Sequence, residues 1–414
     1  MKTLPLAAYG FLGMPLAMVA LPVYVQAPAW YAGHLGLALP VTGFVLFAAR
    51  IFDTVQDPWL GRMIDVMARK NALGLALWLA AIVLALAFTG LWLPPIAGST
   101  PALAGWLALM LALIYSAHSV LNITLLAWGA RMTPDLPTLT RAAAWREASG
   151  LAGVVLASVL PVWLMTAAPW PPAQSMAVFA GGFALLLIMG LILLLHFAPL
   201  WPIRAGVPPA RVRASPAVRR LWLPYLVNAL SIAIPATLAL FFIADRIIKP
   251  QWAGLFLAVY FLSGAAGLPV WTRLAQRIGP ARAWGCSMVL ATSTYVWTIF
   301  LGAGDVLAYG AVCLLAGLAL GADLALPPVL LARAIPPDAD PAAHYGVWSL
   351  LAKLATAISG LALPLLAWLG YRPGVAGSGG SALGLVYGAL PGVLKLLAFA
   401  ILYFQVIAKE EQPA

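Results

Sequence analysis

Charge is scarce in this sequence: Asp, Glu, Lys and Arg make up 8% of its 414 residues, against about 25% in soluble globular domains. A surface so poor in charge cannot face water, which excludes a soluble globular protein. Cysteine is nearly missing. Cys286 and Cys313 both lie in apolar runs, so there is no disulfide framework and no thiolate metal spacing. Short segments of alternating polarity, the mark of a transmembrane barrel, are absent. No nucleophile–base pair, metal-ligand cluster or phosphate-binding glycine loop is present, which argues against an intramembrane enzyme. The apolar run from Leu6 to Ala27 has no small-residue cleavage site and is followed at once by another apolar run, so it reads as a span and not as a cleaved leader.

What is present is apolar residues, 64% of the chain, with a mean hydropathy of +0.98. About 20 apolar residues in a helix cross ~30 Å of hydrocarbon, and in lipid the backbone must bond to itself, so helices are the default. The runs predict an all-α membrane protein of twelve spans: 6–28, 38–60, 72–93, 102–128, 142–166, 175–199, 217–244, 251–272, 284–302, 305–331, 346–369 and 380–406.

The net charge of +11 would suggest nucleic acid in a soluble protein. Here the basic residues cluster in short connections, which points to topology and to no nucleic-acid partner. With both termini in the cytoplasm, inner segments hold sixteen Lys and Arg, from Lys2 to Lys409, and outer loops hold three, Arg246, Lys249 and Arg372. The longest basic, proline-containing connector runs from Pro199 to Arg220. It divides the chain into a six-helix bundle at 1–199, a cytoplasmic linker at 200–216 and a second six-helix bundle at 217–414. Two such halves suggest a transporter with its site between them, near the midplane. The inner loops after spans 2 and 8 echo each other, with Gly61-Arg62-Met63-Ile64-Asp65 in one and Arg273-Leu274-Ala275-Gln276-Arg277 in the other. A repeat and a mere similarity of two basic loops explain this equally well.

Ionisable residues inside spans are costly and mark candidate function. Span 2 carries Arg50, Asp53 and Asp57 at i, i+3 and i+7, on one helix face. Two carboxylates one turn apart repel, and a bound cation removes the repulsion; Gln56 adds a carbonyl oxygen. The competing reading is an internal salt bridge with Arg50 that holds span 2 against its neighbours. Lys353 in span 11 and Asp323 in span 10 lie seven or eight residues from the inner ends of their spans, as Asp53 does. At 1.5 Å per residue, all three sit ~10–12 Å from those ends. Asp323 precedes Pro327-Pro328, which are expected to interrupt the helix and free carbonyls to line a cavity; the alternative is a structural partner for a nearby Lys or Arg. Arg146 and Glu147 lie near the inner end of span 5, with Trp145 as a candidate stacking platform. Tyr115, His118 and Asn122 share a face of span 4 and are either cavity-lining or bonded between helices.

The stretch from Arg50 to Gly61 resembles the cation-site helix of the glycoside–pentoside–hexuronide:cation symporter family, the melibiose-permease-like branch of the major facilitator superfamily. Arg50, Asp53, Asp57, Pro58 and Gly61 match its R-x-x-D-x-x-x-D-P-x-x-G pattern. Lys353 with Leu354 to Gly360 and then Leu369-Gly370-Tyr371 is similar to its span 11, Tyr9-Gly10-Phe11 to its first span, and Tyr115-Ser116 to a Tyr-Thr pair in span 4. The resemblance implies that Asp53 and Asp57 ligate sodium or exchange protons, that Ser116 supplies a hydroxyl ligand, that Lys353 couples cation to substrate and that Arg146 contacts substrate. Sugar-binding members carry an acid in span 1, where this chain has Gly13-Met14-Pro15-Leu16, and another in span 4 near Ser119.

The expected function is a Na+- or H+-coupled symporter of a small polar or amphipathic solute, working by alternating access as a monomer in the cell (inner) membrane. No cofactor is expected other than a bound Na+ where sodium is the coupling ion. An exporter or lipid flippase of the same fold without tight cation coupling is the second expectation.

Overall fold

In the computed structural model the chain is described at residues 3–20, 22–23, 27, 30–31, 35–94, 100–132, 135–167, 170–199, 201, 214–336, 339, 341–371 and 380–410. Among these residues there are helices and no strands. In chain order the long helices are α1 Thr3–Met18, α2 Leu39–Arg69, α3 Leu73–Trp92, α4 Thr100–Met132, α5 Leu136–Ala167 and α6 Pro172–Phe197. Then come α7 Pro216–Phe241, α8 Ala253–Ile278, α9 Pro280–Thr298, α10 Val306–Ala334, α11 Pro341–Ser359 and α12 Ser381–Ile407. Eight of the described helices are long and apolar enough to cross a membrane on length and composition.

Three features differ from the sequence expectation. The stretches 61–69 and 273–277 are not loops: α2 continues to Arg69 and α8 to Ile278, and the chain reverses only at Lys70–Ala72 and at Gly279. Both reversals use positive-φ backbone, at Asn71 (φ 55°), a value that asparagine tolerates, and at Gly279 (φ 88°, ψ 152°), where essentially only glycine fits. Second, Pro327 and Pro328 do not interrupt α10, which runs unbroken through them. Each proline removes one donor to the carbonyl four residues back, and neighbouring helices make such losses tolerable in a membrane span. Third, span 11 is broken: α11 ends at Ser359 and a short helix, Ala362–Trp368, follows.

The chain divides into two compact units, Met1–Val212 with Asp338–Ser349, and Arg213–Pro337 with Leu350–Ala414. In the first unit, α1 lies against α5 with almost no space between backbones. A Cβ on Gly13 would stand 2.7 Å from the carbonyl oxygen of Arg146, and one on Gly153 would stand 2.1 Å from that of Met14. A side chain at Gly13 would therefore collide with the α5 backbone. Phe88 of α3 packs on Phe183 of α6 with ring centres 4.4 Å apart, and on Phe179 and Trp92.

The last turns of α2 meet the first turns of α11 in the same way. A Cβ on Gly61 would lie 2.4 Å from the carbonyl oxygen of Ala342, and one on Gly346 would lie 2.5 Å from that of Asp57. Backbone cannot yield as a side-chain tip can. Gly61→Val is therefore expected to destabilise the protein by ~1–3 kcal/mol or more, the usual cost of overpacking. A thermal unfolding midpoint in detergent unchanged from wild type would show that α2 and α11 do not pack this closely.

The second unit is built around Phe242, which stacks on Tyr387 at 4.1 Å between centres and on Tyr309 at 5.4 Å. The Tyr309 and Tyr387 hydroxyls bond each other at 2.7 Å, satisfying two polar tips in an apolar core. Small residues again allow close approach: a Cβ on Gly317 of α10 would fall 2.2 Å from the carbonyl oxygen of Tyr260 in α8.

Candidate functional site

The i, i+3, i+4 spacing of α2 turns Asp53, Gln56 and Asp57 away from its lipid-facing residues. Phe52, Val55 and Trp59 are exposed, whereas Asp53 is 5% exposed and Asp57 is fully buried. Across from them, α4 presents two hydroxyls. Ser119 donates to Asp53 Oδ1 at 3.3 Å, and Ser116 donates to Gln56 Oε1 at 2.8 Å. The Gln56 amide approaches Asp53 Oδ1 at 3.5 Å. A carboxylate, an amide carbonyl and two hydroxyls thereby converge between α2 and α4. All are hard oxygen donors, the kind a hard cation selects. Ser119 was not among the expected ligands. No pattern marks it, because a serine in an apolar helix usually bonds its own backbone.

Asp57 takes a different partner. Its Oδ2 accepts from Ser349 of α11 at 2.5 Å. Further along α2, Asp65 accepts the backbone N–H groups of Ala342 and Ala343 at 3.1 and 2.8 Å. These are first-turn donors of α11 with no carbonyl inside the helix, and a carboxylate there also meets the positive end of the helix dipole. Arg131 donates to the carbonyl of Ala339 at 3.0 Å, tying α4 to the same segment. Neither Asp65 nor Ser349 was singled out from sequence, since their partners lie nearly 300 residues away.

Arg146 is 7% exposed and holds Glu147 Oε1 through Nε at 2.8 Å and Nη2 at 2.5 Å. Its backbone is the surface against which Gly13 packs. Trp145 is 39% exposed, and Arg50 is exposed and accepts from Thr54 through its carbonyl. Tyr115 is buried, and Asn122 is half-buried. His118 reaches the Leu16 carbonyl at 3.1 Å, a bond between α4 and α1. Lys353 is half-buried and belongs to the second unit.

Asp323 sits in the second unit within a network that joins four helices. Lys395 of α12 donates to Asp323 Oδ2 at 2.7 Å and to Asn228 Oδ1 of α7 at 2.6 Å. Asn228 returns its amide to Asp323 Oδ1 at 3.0 Å, and Trp284 of α9 donates to the same oxygen at 2.9 Å. The side chains of Lys395 and Asp323 are 0% and 3% exposed. Lys395 is a lone lysine in an apolar run, the same signal that marked Asp323, and the sequence reading passed over it. A cavity of about 130 Å3 lies in this unit, lined by Tyr260, Tyr295, Tyr309, Tyr387, Phe256 and Cys313 together with aliphatic residues of α7 and α10.

Two comparisons with known proteins agree with this architecture. A family model described as MFS/sugar transport protein matches residues 4–409. Among solved structures, a bacterial homologue of the iron transporter ferroportin in an outward-facing state superposes with a TM-score of 0.74 at 17% identity, covering 98% of this chain and 99% of that one. The E. coli fucose:proton symporter gives 0.68 at 12% identity, covering 97% of each chain. The proton:xylose symporter XylE gives 0.64 at 11%, covering 98% of this chain and 95% of the other. None of the curated proteins is a match by sequence. At such identities the structures speak for the fold alone, whereas the family model spans nearly the whole chain. The chain therefore belongs to the MFS/sugar transport protein family, with the all-helical fold of the major facilitator superfamily, and is a multi-pass membrane transporter and not an enzyme.

Proposed function

We propose that this transporter is a symporter of the melibiose-permease-like branch, coupling Na+ or H+ to a small polar or amphipathic solute, with both termini in the cytoplasm of the cell (inner) membrane. The observation that carries the proposal is the oxygen cluster between α2 and α4, in which Asp53, Gln56, Ser116 and Ser119 converge one turn from Asp57. A proton or a metal cation bound at Asp53 would each offset the cost of its buried charge. Either one, taken up from one side and released to the other, is a coupling ion.

By resemblance, Arg146 contacts solute and Lys353 couples cation to solute, and Asp323, which the resemblance does not place, is a candidate for setting the class of solute. The tyrosine-lined cavity favours a solute with an apolar portion over one covered in hydroxyls, because the phenols of Tyr309 and Tyr387 already bond each other. That same cavity supports the second reading, an exporter or lipid flippase of the same fold without tight cation coupling.

Cation binding separates the two without knowledge of the solute. The purified protein is unfolded thermally in NaCl and in choline chloride across acidic to neutral pH. Symport predicts a rise in the unfolding midpoint either with Na+ or with falling pH. A ligand at 100 times its Kd stabilises by about 2.7 kcal/mol. No response to either ion would leave the uncoupled exporter as the better reading.

A further inference from the structure

At the basic end of the second unit, the first turn of α7 meets the last turns of α10 and α12 around a pocket of about 310 Å3. Arg220, Arg333 and Lys409 line it, with the Gln405 amide and Ala217. Among the described residues that line it there is no Asp or Glu. The pocket is braced, because Ser215 caps α7 by accepting from Val218 N–H at 3.2 Å and donates to the carbonyl of Ala334 at 3.2 Å. With Pro216 at the helix start and Val218 capped, the N–H of Ala217 is a first-turn donor on the pocket wall with no carbonyl inside the helix. Three cations, an amide and the positive end of a helix therefore surround one volume, the arrangement that suits a phosphate group.

The neighbouring residues say where such a phosphate comes from. The π-helical turn Tyr403–Ile407 that supplies Gln405 and Val406 also leaves Tyr403 40% and Phe404 69% exposed. In a membrane-spanning chain these are lipid-facing aromatics, and a tyrosine such as Tyr403 settles at headgroup level. We infer that this pocket is a binding site for the phosphate of an anionic phospholipid headgroup, a fixed lipid contact separate from the solute path. Basic pockets between helix ends hold headgroups of this kind by charge, and each Lys or Arg strengthens binding about fivefold.

The test uses the full-length protein, purified and stripped of lipid, with thermal unfolding as the readout. Phosphatidylglycerol, phosphatidylcholine and inorganic phosphate are added separately. Phosphatidylglycerol is expected to raise the midpoint, and the other two are not. In Arg220→Gln/Arg333→Gln the apparent affinity for phosphatidylglycerol should fall roughly 25-fold, two charges' worth. Should that variant fail to fold, Lys409→Gln near the chain end carries the same test, with a fall of about fivefold. Equal shifts from the two lipids, or an undiminished phosphatidylglycerol shift in the folded variant, overturn the proposal. A full shift from inorganic phosphate overturns it too, by making the site one for a soluble anion.

Discussion

Replacing Lys395 with methionine is expected to destabilise the second unit by about 3–5 kcal/mol, the cost of leaving a buried charge without its partner. Methionine matches the length and shape of lysine, so the loss would not come from a cavity. It would come from Asp323, whose carboxylate would keep Asn228 and Trp284 but lose its counter-charge. Asn228 would also lose the donor to its Oδ1. Adding Asp323→Asn to Lys395→Met removes both charges, so the double variant should recover a large part of the stability that the single variant loses. That recovery is the mark of an ion pair that braces α7, α9, α10 and α12. A direct role of Asp323 in holding solute makes a different forecast. Asp323→Asn would then lose solute affinity whether or not Lys395 is also changed. The four proteins of the double-mutant cycle, measured for unfolding midpoint in detergent and for solute binding, separate the two outcomes. An unfolding midpoint for Lys395→Met equal to that of wild type would remove the bracing role.

The contrast between Asp323 and Asp53 shows what the chain discloses before it is folded. Spans were legible because lipid imposes one length and one kind of secondary structure, and helices follow wherever apolar runs reach that length. Helix ends were less legible. Arg62, Asp65 and Arg69 read as loop residues because they are charged, yet α2 carries them as helix to its end. Polarity marks where a helix leaves the hydrocarbon, which is not where its hydrogen bonds stop. The prolines of α10 misled for a related reason: a missing donor weakens a helix only if neighbours cannot support it. For the site, the spacing of Asp53, Gln56 and Asp57 was visible because three residues on one helix fix their own relative geometry. Their partners were not. Ser119 and Ser349 are ordinary serines until α4 and α11 are placed beside α2. Lys395 was visible in principle, as an ionisable residue in an apolar run.

Asp57→Asn and Asp53→Asn are each expected to weaken binding of the coupling cation by more than 100-fold while leaving the protein folded. The hydrogen bonds explain why the fold should survive. Asp57 acts in the fold as an acceptor for Ser349, and the carbonyl oxygen of asparagine accepts equally well. Asp53 accepts from Ser119 and from the Gln56 amide, and an asparagine side chain in its place would keep one oxygen for that purpose. What each substitution removes is the negative charge. Within a buried cluster a single charged partner is worth about 3 kcal/mol or more, and 1.4 kcal/mol is a factor of ten. The competing assignment is a salt bridge to Arg50 that serves only to hold α2 in place. It predicts that Arg50→Gln lowers stability as much as either aspartate variant, with no change in response to Na+ or pH. Thermal unfolding of wild type and the three variants, titrated with NaCl at several pH values, distinguishes these assignments. Loss of the ion response in both aspartate variants, with unfolding midpoints near wild type in choline chloride, identifies the coupling site. Loss in Asp53→Asn alone would confine the site to the α2–α4 oxygens and leave Asp57 with the Ser349 contact. An ion response retained by both variants would end the case for a carboxylate-based coupling site on α2.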